Sequence, residues 1–325
     1  MKSKSVLLSA LVATFVSWIV PNAWAQPKTV KIVVGYAAGG AADATARIYA
    51  DKLSQVLNTP VIVENKPGAF EQLAAQAALS APPDGSVLWL GTAGALTMGP
   101  GVRNDIPYDV LKSFTHLGRI GEVNAVFAVK NDLPVTSMAE LVTYAKANPN
   151  KLFYGSAGVG SGSHLLAEYI MSETGIKMSH VPYKGDIDVV RELVTGTVDF
   201  GIITVTQALP YLNDRKFKAI AVTGTQRATA LPNVPTIGEA GIEPLRTMGV
   251  YSIYALLGPA GMPPALTQSL SDALNKVAKM PETTQRLDTI FVKATVSSPA
   301  DLKQYLEAEQ SRWRTLGSKL NIQFN

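Results

Sequence analysis

The sequence of 325 residues contains no cysteine. This absence excludes disulfide bonds, thiolate nucleophiles, zinc fingers and iron–sulfur clusters. Charge is sparse, since Asp, Glu, Lys and Arg make up 17% of the chain. The lysines and arginines form no run of the kind that binds nucleic acid, so we expect no nucleic-acid partner. The 26 glycines and 20 prolines follow no period, which excludes a fibrous protein, and the apolar fraction of 47% is typical of a globular one.

The first 25 residues are typical of a secretory signal peptide. Two lysines precede a mostly apolar stretch over residues 6–20, and residues 23–25 read Ala-Trp-Ala, a typical cleavage site. Cleavage would leave Gln26 first, lower the net charge from +4 to +2 and deliver the protein to the periplasm. An uncleaved membrane anchor is the alternative. A lipoprotein anchor is excluded because no cysteine follows the site, and no later apolar run reaches about 18 residues, as a membrane span requires.

Strand-like and helix-like segments alternate along the rest of the chain. This alternation predicts an α/β fold in which parallel strands carry helices on their faces. The predicted strands are Val30–Tyr36, Val61–Val63, Val87–Leu90, Ala125–Val129, Leu152–Gly155, Ser179–Tyr183, Val198–Val205, Ala219–Val222 and Val250–Gly258. The predicted helices are Ala41–Leu57, Phe70–Leu79, Ser137–Ala147, Ser163–Glu173, Asp188–Val194, Pro264–Lys279 and Pro299–Leu316.

The α/β pattern occurs in two runs, and the second begins near Ala125. We therefore predict two lobes, one formed by residues 26–124 together with 246–325 and the other by 125–245. In open α/β sheets a ligand binds beyond the carboxyl ends of the strands, so the cleft between the lobes is the predicted site.

The loop over residues 36–43 joins the first strand to the first helix. Its small residues let a ligand approach the backbone, and the free N–H groups at the helix start favour an anion. The alternative is a tight turn in which Asp43 is only an acid of the first helical turn.

A second loop, over residues 155–164, is rich in glycine and serine. Its amides and hydroxyls can surround a carboxylate or a phosphate. It lacks the Gly-Lys-Ser/Thr of a phosphate-binding loop, a dinucleotide fingerprint and the G-x-S-x-G of a hydrolase. The alternative is a surface loop without a ligand.

The three histidines, His116, His164 and His180, show no metal-binding motif, so we expect no metal site. His164 opens a helix and is more consistent with a hydrogen bond to its loop than with a general base. Asp199 follows a turn, where capping is a better interpretation than catalysis. The aromatic side chains that belong either to the core or to the cleft are Tyr36, Phe70, Trp89 and Tyr183.

Short motifs occur in a consistent order along the mature chain. They are Gly39-Gly40-x-x-Asp43 with Ala46-Arg47, Val63-Glu64-Asn65-Lys66-Pro67-Gly68-Ala69, Pro83-Asp84-Gly85, Pro107-Tyr108-Asp109, Leu133-Pro134, Ser161-Gly162-Ser163-His164, Val181-Pro182-Tyr183-Lys184-Gly185, Gly196-x-Val198-Asp199, Leu209-Pro210, Ala221-Val222-Thr223, Pro235-Thr236-x-x-Glu239-Ala240-Gly241 and Pro259-Ala260-Gly261. In this order the chain resembles the periplasmic solute receptors of tripartite tricarboxylate transporters, also called Bug-type receptors.

The resemblance implies a two-lobed periplasmic-binding-protein (Venus-flytrap) fold with two crossing strands and no cofactor. It also implies capture of a small carboxylate by amides and hydroxyls of the two loops, and delivery to the integral-membrane subunits of a transporter. We expect a monomer in which the hydroxyls of Thr92, Ser161 and Ser163 hold the carboxylate. The predicted ligand contacts are Tyr36, Gly40, Ala41, Ala42, Asp43, Phe70, Thr92, Ala93, Ser156, Ser161, Gly162, Ser163, His164, Ile203 and Thr204.

Three departures from the family pattern bear on the ligand. Tyr36-Ala37-Ala38 replaces a proline-containing segment, Phe70-Glu71 replaces glycines, and Ile203 replaces an acid that would suit an amino group. Because nothing at Ile203 would pair an ammonium, we expect an aromatic or aliphatic acid, such as a dicarboxylate, rather than an amino acid.

Two other classes of function share the predicted fold. An exported hydrolase or transferase acting on a small carboxylate would need a nucleophile–base pair or metal ligands, and the sequence assembles neither. The ligand domain of a membrane sensor kinase would differ only in its partner.

Overall fold

The computed structural model describes residues 29–103, 105–246, 249 and 251–320. The predicted signal peptide and its cleavage site lie outside these residues. None of the helices in the described part is both long enough and apolar enough to cross a lipid bilayer.

Lobe 1 is built on a six-stranded sheet with the order β2-β1-β3-β10-β4-β11. The first three strands are parallel, and β10 runs antiparallel to both β3 and β4. The strands are β1 (Val30–Val34), β2 (Val61–Asn65), β3 (Val87–Thr92), β4 (Phe114–Val123), β10 (Ser252–Pro259) and β11 (Val292–Ala294). The helices are α1 (Ala41–Leu57), α2 (Gln72–Leu79), α3 (Gly99–Val102), α8 (Pro264–Ala278), α9 (Pro281–Asp288) and α10 (Pro299–Leu320), with a π-helical turn over Gly94–Met98.

Lobe 2 repeats this plan with a five-stranded sheet in the order β7-β6-β8-β5-β9. Strands β6, β7 and β8 are parallel, and β5 is antiparallel to β8 and β9. The strands are β5 (Ala125–Lys130), β6 (Phe153–Ser156), β7 (Ser179–Pro182), β8 (Phe200–Thr204) and β9 (Phe217–Val222). The helices are α4 (Met138–Ala147), α5 (Gly162–Thr174), α6 (Asp186–Thr195) and α7 (Val205–Asn213).

The chain passes between the sheets twice. Only Asn124 separates β4 in lobe 1 from β5 in lobe 2, and the return runs from β9 to β10 through residues 223–251. The predicted two-lobed α/β fold is therefore confirmed. For the boundaries we propose 125–245 as lobe 2 and the flanking segments, 26–124 and 246–325, as lobe 1.

Apolar periodicity explains why α1 packs on its sheet. Ala46, Tyr49 and Leu53 recur at helical spacing and are buried against the core of lobe 1. The helix ends at Asn58, which adopts a left-handed conformation with φ 47°. The helix is thereby fixed so that its first turn lies just beyond the end of β1.

Helix α2 begins two residues later than predicted. Phe70 and Glu71 both have positive φ values, 56° and 64°, which an α-helix does not accommodate. The backbone is therefore interrupted at these two residues, and the regular helix starts only at Gln72.

Candidate functional site

The carboxyl ends of the parallel strands in both lobes meet around two tyrosines of the returning chain. Tyr254 lies on β10, directly opposite Thr92 at the end of β3. Tyr251 contacts the hydroxyl and amide of Ser163 in lobe 2. A Cβ atom on Gly162 would lie 3.3 Å from the Tyr251 hydroxyl and 3.4 Å from the sulfur of Met98 in lobe 1. The site is therefore a cleft between the two sheets.

Tyr36 follows the first strand and is partly exposed to solvent. Its side chain is 44% exposed, although burial among protein atoms, together with the nearby charge of Glu71, raises its pKa well above the usual range. Its hydroxyl lies 3.3 Å from the Thr92 hydroxyl. Tyr36 is therefore not part of the buried core, and its predicted position in the cleft stays a prediction.

The first loop is fixed from within by Asp43. The carboxylate of Asp43 accepts hydrogen bonds from the Gly39 N–H at 2.9 Å, the Arg47 Nε at 3.0 Å and the Asn65 Nδ2 at 2.9 Å. Burial opposes its ionisation, but the hydrogen bonds from Arg47, Gly39 and Asn65 outweigh it and lower the pKa of Asp43. Asp43 therefore holds the loop in shape, and its predicted contact with a ligand stays a prediction.

The three residues that follow the turn have different positions. Gly40 precedes α1 in an extended conformation, and no side chain caps the helix there. Ala41 is half-buried, whereas Ala42 packs in the core of lobe 1. The first N–H groups of a helix have no partner within it, so the amides at the start of α1 are the donors that this loop offers.

Glu71, which is absent from the predicted contact set, is a buried acid at the strand ends of lobe 1. Its carboxylate accepts hydrogen bonds from the Thr92 hydroxyl at 2.5 Å and from the Thr92 N–H at 3.3 Å. The side chain is only 3% exposed. It packs so closely on Gly35 that a Cβ atom there would lie 2.5 Å from Cγ of Glu71. Burial raises the pKa of Glu71 to about 7, against the opposing effect of these hydrogen bonds.

The predicted contacts next to Glu71 serve the structure of lobe 1. The Phe70 ring lies against Gly94 and Gly99 of the helical segment after β3, beneath the guanidinium of Arg103 at 5.4 Å. Ala93 is buried and donates its N–H to the Ser252 hydroxyl at 3.2 Å. The Thr92 hydroxyl donates a hydrogen bond to Glu71. Its predicted bond to a ligand carboxylate would have to replace this bond and stays a prediction.

The glycine–serine loop of lobe 2 is held by its own hydroxyls. Ser161 caps α5 by accepting from the His164 N–H at 3.3 Å. Ser163 accepts from the Ala157 N–H at 3.0 Å, and the Ser156 hydroxyl lies 2.6 Å from Nε2 of His180. These hydrogen bonds hold the loop in one conformation at the edge of the cleft. The first N–H groups of α5 lie at the end of this loop.

His164 is a neutral side chain that supports this loop. Its Nδ1 accepts the Gly160 N–H at 3.0 Å, the kind of contact to the loop that the sequence predicted. Its ring stacks on His180 with centroids 4.1 Å apart, and His180 in turn stacks on Tyr154. Burial, reinforced by His180, lowers the pKa of His164 to about 4. Within the described residues, no group of three His, Asp or Glu side chains is placed to hold a metal ion.

Asp186, also absent from the predicted contact set, is an acid at the strand ends of lobe 2. It is the first residue of α6 and accepts the N–H of Thr204, at the end of β8, at 3.0 Å. Burial raises the pKa of Asp186, and its charge raises the pKa values of Tyr251 and Tyr254 across the cleft. In the sequence, this acid is recognisable by its position directly after Tyr183-Lys184-Gly185, the segment that follows strand β7.

Ile203 does not line the cleft, which corrects a predicted contact. Its side chain is 0% exposed and packs in the core of lobe 2 with Val126 and Val189. Successive strand residues point to opposite faces of a sheet. Ile203, one residue before the end of β8, points to the face that packs in the core of lobe 2. The argument that an apolar Ile203 disfavours an amino-acid ligand therefore loses its basis, because Asp186 supplies a carboxylate beside Thr204.

Comparison with known proteins identifies the family. Residues 45–322 match the family described as tripartite tricarboxylate transporter family receptor. The chain belongs to this family. Its members are periplasmic receptors rather than enzymes, and they bind small carboxylates and work with membrane components of the transporter. The resemblance found in the sequence motifs is thereby confirmed.

Individual relatives cover nearly the whole chain. The UPF0065 protein in the gbd 5' region of Cupriavidus necator is 35% identical over 91% of this chain and 88% of its own. Rpa4515 of R. palustris, solved with adipate, has a TM-score of 0.82 and 31% identity, and the match covers 91% of this chain and 98% of that one. MatC from Rhodopseudomonas palustris, with bound malate, has a TM-score of 0.78 and 27% identity over 89% and 98% of the two chains.

Proposed function

We propose that this chain is a periplasmic receptor that captures a small carboxylate between its lobes and delivers it to the membrane subunits of a tripartite transporter. The observation that carries the proposal is the close approach of the first turn of α5 in lobe 2 to Met98 of lobe 1 and to Tyr251 of the returning chain, which places a cleft between the lobes. The adipate of Rpa4515 and the malate of MatC support a carboxylate as the ligand.

The anion is bound in this proposal by amides rather than by a lysine or arginine. The N–H groups of Ala41 and Ala42 lack partners within α1, and the helix dipole adds partial positive charge at the same place. The first turn of α5 offers a second set of amides from lobe 2, next to Ser163. A ligand that bridges the two helices would draw the lobes together.

A thermal-shift screen of mono- and dicarboxylates and amino acids tests the receptor function. A ligand at 100 times its Kd adds about 2.7 kcal/mol to the free energy of unfolding. At roughly 2–4 °C per kcal/mol, this gives a rise in Tm of about 5–10 °C. If no organic acid in the screen raises Tm, and calorimetry detects no binding, carboxylate capture is wrong.

Replacing Ala41 by proline tests the helix amides directly. Proline is compatible with the first position of a helix but has no N–H, and Gly40 already has the extended conformation that precedes proline. Loss of one hydrogen bond to a charged group costs about 1.5–3 kcal/mol, so we expect 10- to 100-fold weaker binding in calorimetry. Ala41→Ser keeps the N–H and is the matched control. Equal affinity of the two variants would place the anion elsewhere.

The location and the assembly state are part of the same proposal. Export through cleavage before Gln26 would give a protein whose intact mass lacks residues 1–25, and the retention of these residues in the exported protein would contradict it. The receptor is proposed to act as a monomer, which sedimentation of the mature protein measures.

A further inference from the structure

The two histidines of lobe 2 stack on each other beside the glycine–serine loop, residues 155–164. His164 lies in the first turn of α5 and His180 on β7, and their rings are nearly parallel, at 14°, with centroids 4.1 Å apart. Tyr154 on β6 continues the stack, 4.8 Å from the ring of His180. The proposed binding of a carboxylate by helix amides uses neither imidazole. The stack is therefore a cluster of titratable groups whose role is still to be assigned.

Both imidazoles hold the loop by hydrogen bonds. Nδ1 of His164 accepts the N–H of Gly160 at 3.0 Å. Nε2 of His180 lies 2.6 Å from the hydroxyl of Ser156, and this hydroxyl is bonded in turn to the carbonyl and the N–H of Gly158 at 3.1 and 3.2 Å. Each imidazole thus fixes one glycine of the loop, His164 directly and His180 through a serine.

The bond from Gly160 requires a neutral imidazole. A protonated imidazole has an N–H on both nitrogens and accepts no hydrogen bond. Protonated His164 would therefore turn an N–H toward the N–H of Gly160, and that amide would lose its partner. If His180 were protonated as well, two cations would face each other across 4.1 Å. Protonation thus removes a bond that holds the loop and weakens the stack beside it.

The titratable groups around the pair come from α5 and β6. Oε1 of Glu168 lies 3.8 Å from Nε2 of His164, beyond hydrogen-bond distance, and accepts the Tyr154 hydroxyl at 2.5 Å. A carboxylate favours a charged imidazole, but burial raises the pKa of Glu168 itself. Burial and the second ring act in the opposite direction and lower the pKa of His164 to about 4, and burial also lowers that of His180. The folded loop therefore keeps both rings neutral.

The loop leads directly into the contact between the lobes. Gly162, the first residue of α5, lies where a Cβ atom would be 3.3 Å from the Tyr251 hydroxyl and 3.4 Å from the sulfur of Met98. The N–H of His164 in the same turn donates to Ser161 at 3.3 Å. A loop that changes shape would therefore disturb the turn of α5 that meets lobe 1 and that carries the amides proposed for the anion.

We propose that the glycine–serine loop is a pH-dependent element, which keeps its shape while His164 and His180 are neutral and opens when they are protonated, so that acid favours release of a carboxylate. The effect on binding rests on the proposed receptor function, whereas the opening of the loop does not. An open loop exposes the imidazoles to water, where a histidine titrates near 6.5, and so it binds more protons than the closed loop. Opening is therefore favoured as pH falls from 6.5 toward 4.

Hydrogen exchange of the unliganded protein at pH 7.5 and pH 5 tests the loop alone. After correction for the intrinsic exchange rate, we expect the amides of residues 156–164 to open about 10- to 30-fold more readily at pH 5. His164→Asn places an oxygen where Nδ1 accepts the Gly160 N–H but cannot be protonated, so we expect a change of at most about 3-fold.

The matched control is His116→Gln in lobe 1, where the histidine Nε2 lies 3.1 Å from the Val110 carbonyl and a glutamine amide can donate instead. This variant should keep the full pH response of the loop. His180→Gln, which keeps a polar group near the Ser156 hydroxyl and removes one of the two cations, should show a reduced response. A wild-type loop that is equally protected at both pH values, or equal responses of the wild type and His164→Asn, would overturn the proposal.

Calorimetry with succinate, malate, glutarate and adipate measures the effect on binding. Comparing the wild type with His164→Asn at each pH removes the titration of these acids themselves. For an acid that binds, we expect the wild-type Kd to rise between pH 7.5 and pH 5 by at least about 3-fold more than the Kd of the variant, because less of the wild-type protein has a closed loop. Equal rises would overturn the coupling to binding. No binding of any of these acids at pH 7.5 would instead contradict the proposed function, and hydrogen exchange would still decide whether the loop responds to pH.

Discussion

Glu71 is held in a conformation and an environment that are both unfavourable for an isolated glutamate. Its φ of 64° lies in the left-handed region, which costs a non-glycine residue about 1–2 kcal/mol. Its carboxylate is buried, and its ionised form is stabilised by Thr92 but by no cation. Such local strain is typical of binding sites, where a stable fold retains a residue for its chemistry rather than for its contribution to stability.

Glu71→Gln is predicted to stabilise the unliganded protein at alkaline pH. The folded-state pKa of Glu71, about 7, lies above its ordinary value of 4.5. The folded protein therefore binds more protons than the unfolded chain between pH 4.5 and 7, and stability falls as pH rises through this range. Glutamine removes that fall, so we expect a Tm higher by roughly 2–8 °C at pH 8 and little difference at pH 4.5.

Scanning calorimetry between pH 4.5 and pH 8 measures this effect. The control is Glu307→Gln, which removes the same charge from the exposed face of α10. A Tm difference for Glu71→Gln that is independent of pH would mean that the carboxylate is not the source of the destabilisation.

At the scale of elements, the close contact between α3 and α10 fixes the C-terminal helix on lobe 1. A Cβ atom at Gly101 would lie 2.3 Å from Cβ of Trp313 and 3.0 Å from its backbone carbonyl carbon. The Trp313 side chain is buried, and Gln310, one turn earlier, donates its Nε2 to the Leu96 carbonyl at 2.8 Å. The two helices are therefore packed backbone to backbone, with no room for a side chain.

Gly101→Ala is predicted to destabilise the protein by about 1–3 kcal/mol, because the backbone of α10 must move. Urea denaturation measures the change as a lower midpoint with an unchanged slope. Gly249→Ala is the control, since a Cβ atom there meets nothing within 4 Å. Equal midpoints for Gly101→Ala and the wild type would show that α10 can move to accommodate the methyl group without a loss of stability.

The elements that the sequence missed are those whose local pattern is misleading. Strand β4 contains Gly118, Arg119 and Gly121, which interrupt its apolar pattern, and it is stabilised by pairing with β10 and β11. Helix α7 contains Pro210, which normally ends a helix. In each case tertiary pairing overrides the local preference, and no window of sequence contains that information.

At the scale of the whole molecule, the two lobes are linked by two chain crossings and by contacts across the cleft. The first turn of α5 meets Met98 of lobe 1 and Tyr251 of the returning chain. Few connections and a cleft lined from both sides are the features of a protein that closes around a ligand by a hinge motion.

Ligand binding is predicted to decrease the radius of gyration. A ligand that contacts the first turns of α1 and α5 together, as proposed above, stabilises the closed arrangement relative to the open one. Small-angle scattering with and without a saturating ligand measures the change, and Ala41→Pro at the same ligand concentration should show less of it. Superimposable profiles for the wild type would mean that binding occurs without movement of the lobes.

The alternation of strands and helices, the two glycine-containing loops and the ordered motifs determined the α/β fold, its two lobes and the receptor family from sequence alone. These features are local or sequential, so a linear pattern contains them. The tertiary structure decided the surroundings of individual side chains: Ile203 turns into the core, while Glu71 is buried against Thr92 at the end of β3 and Asp186 accepts the Thr204 N–H at the end of β8. The hydrogen-bond partners of these two acids lie 21 and 18 positions away in the chain, so only the folded structure brings each acid to its strand end.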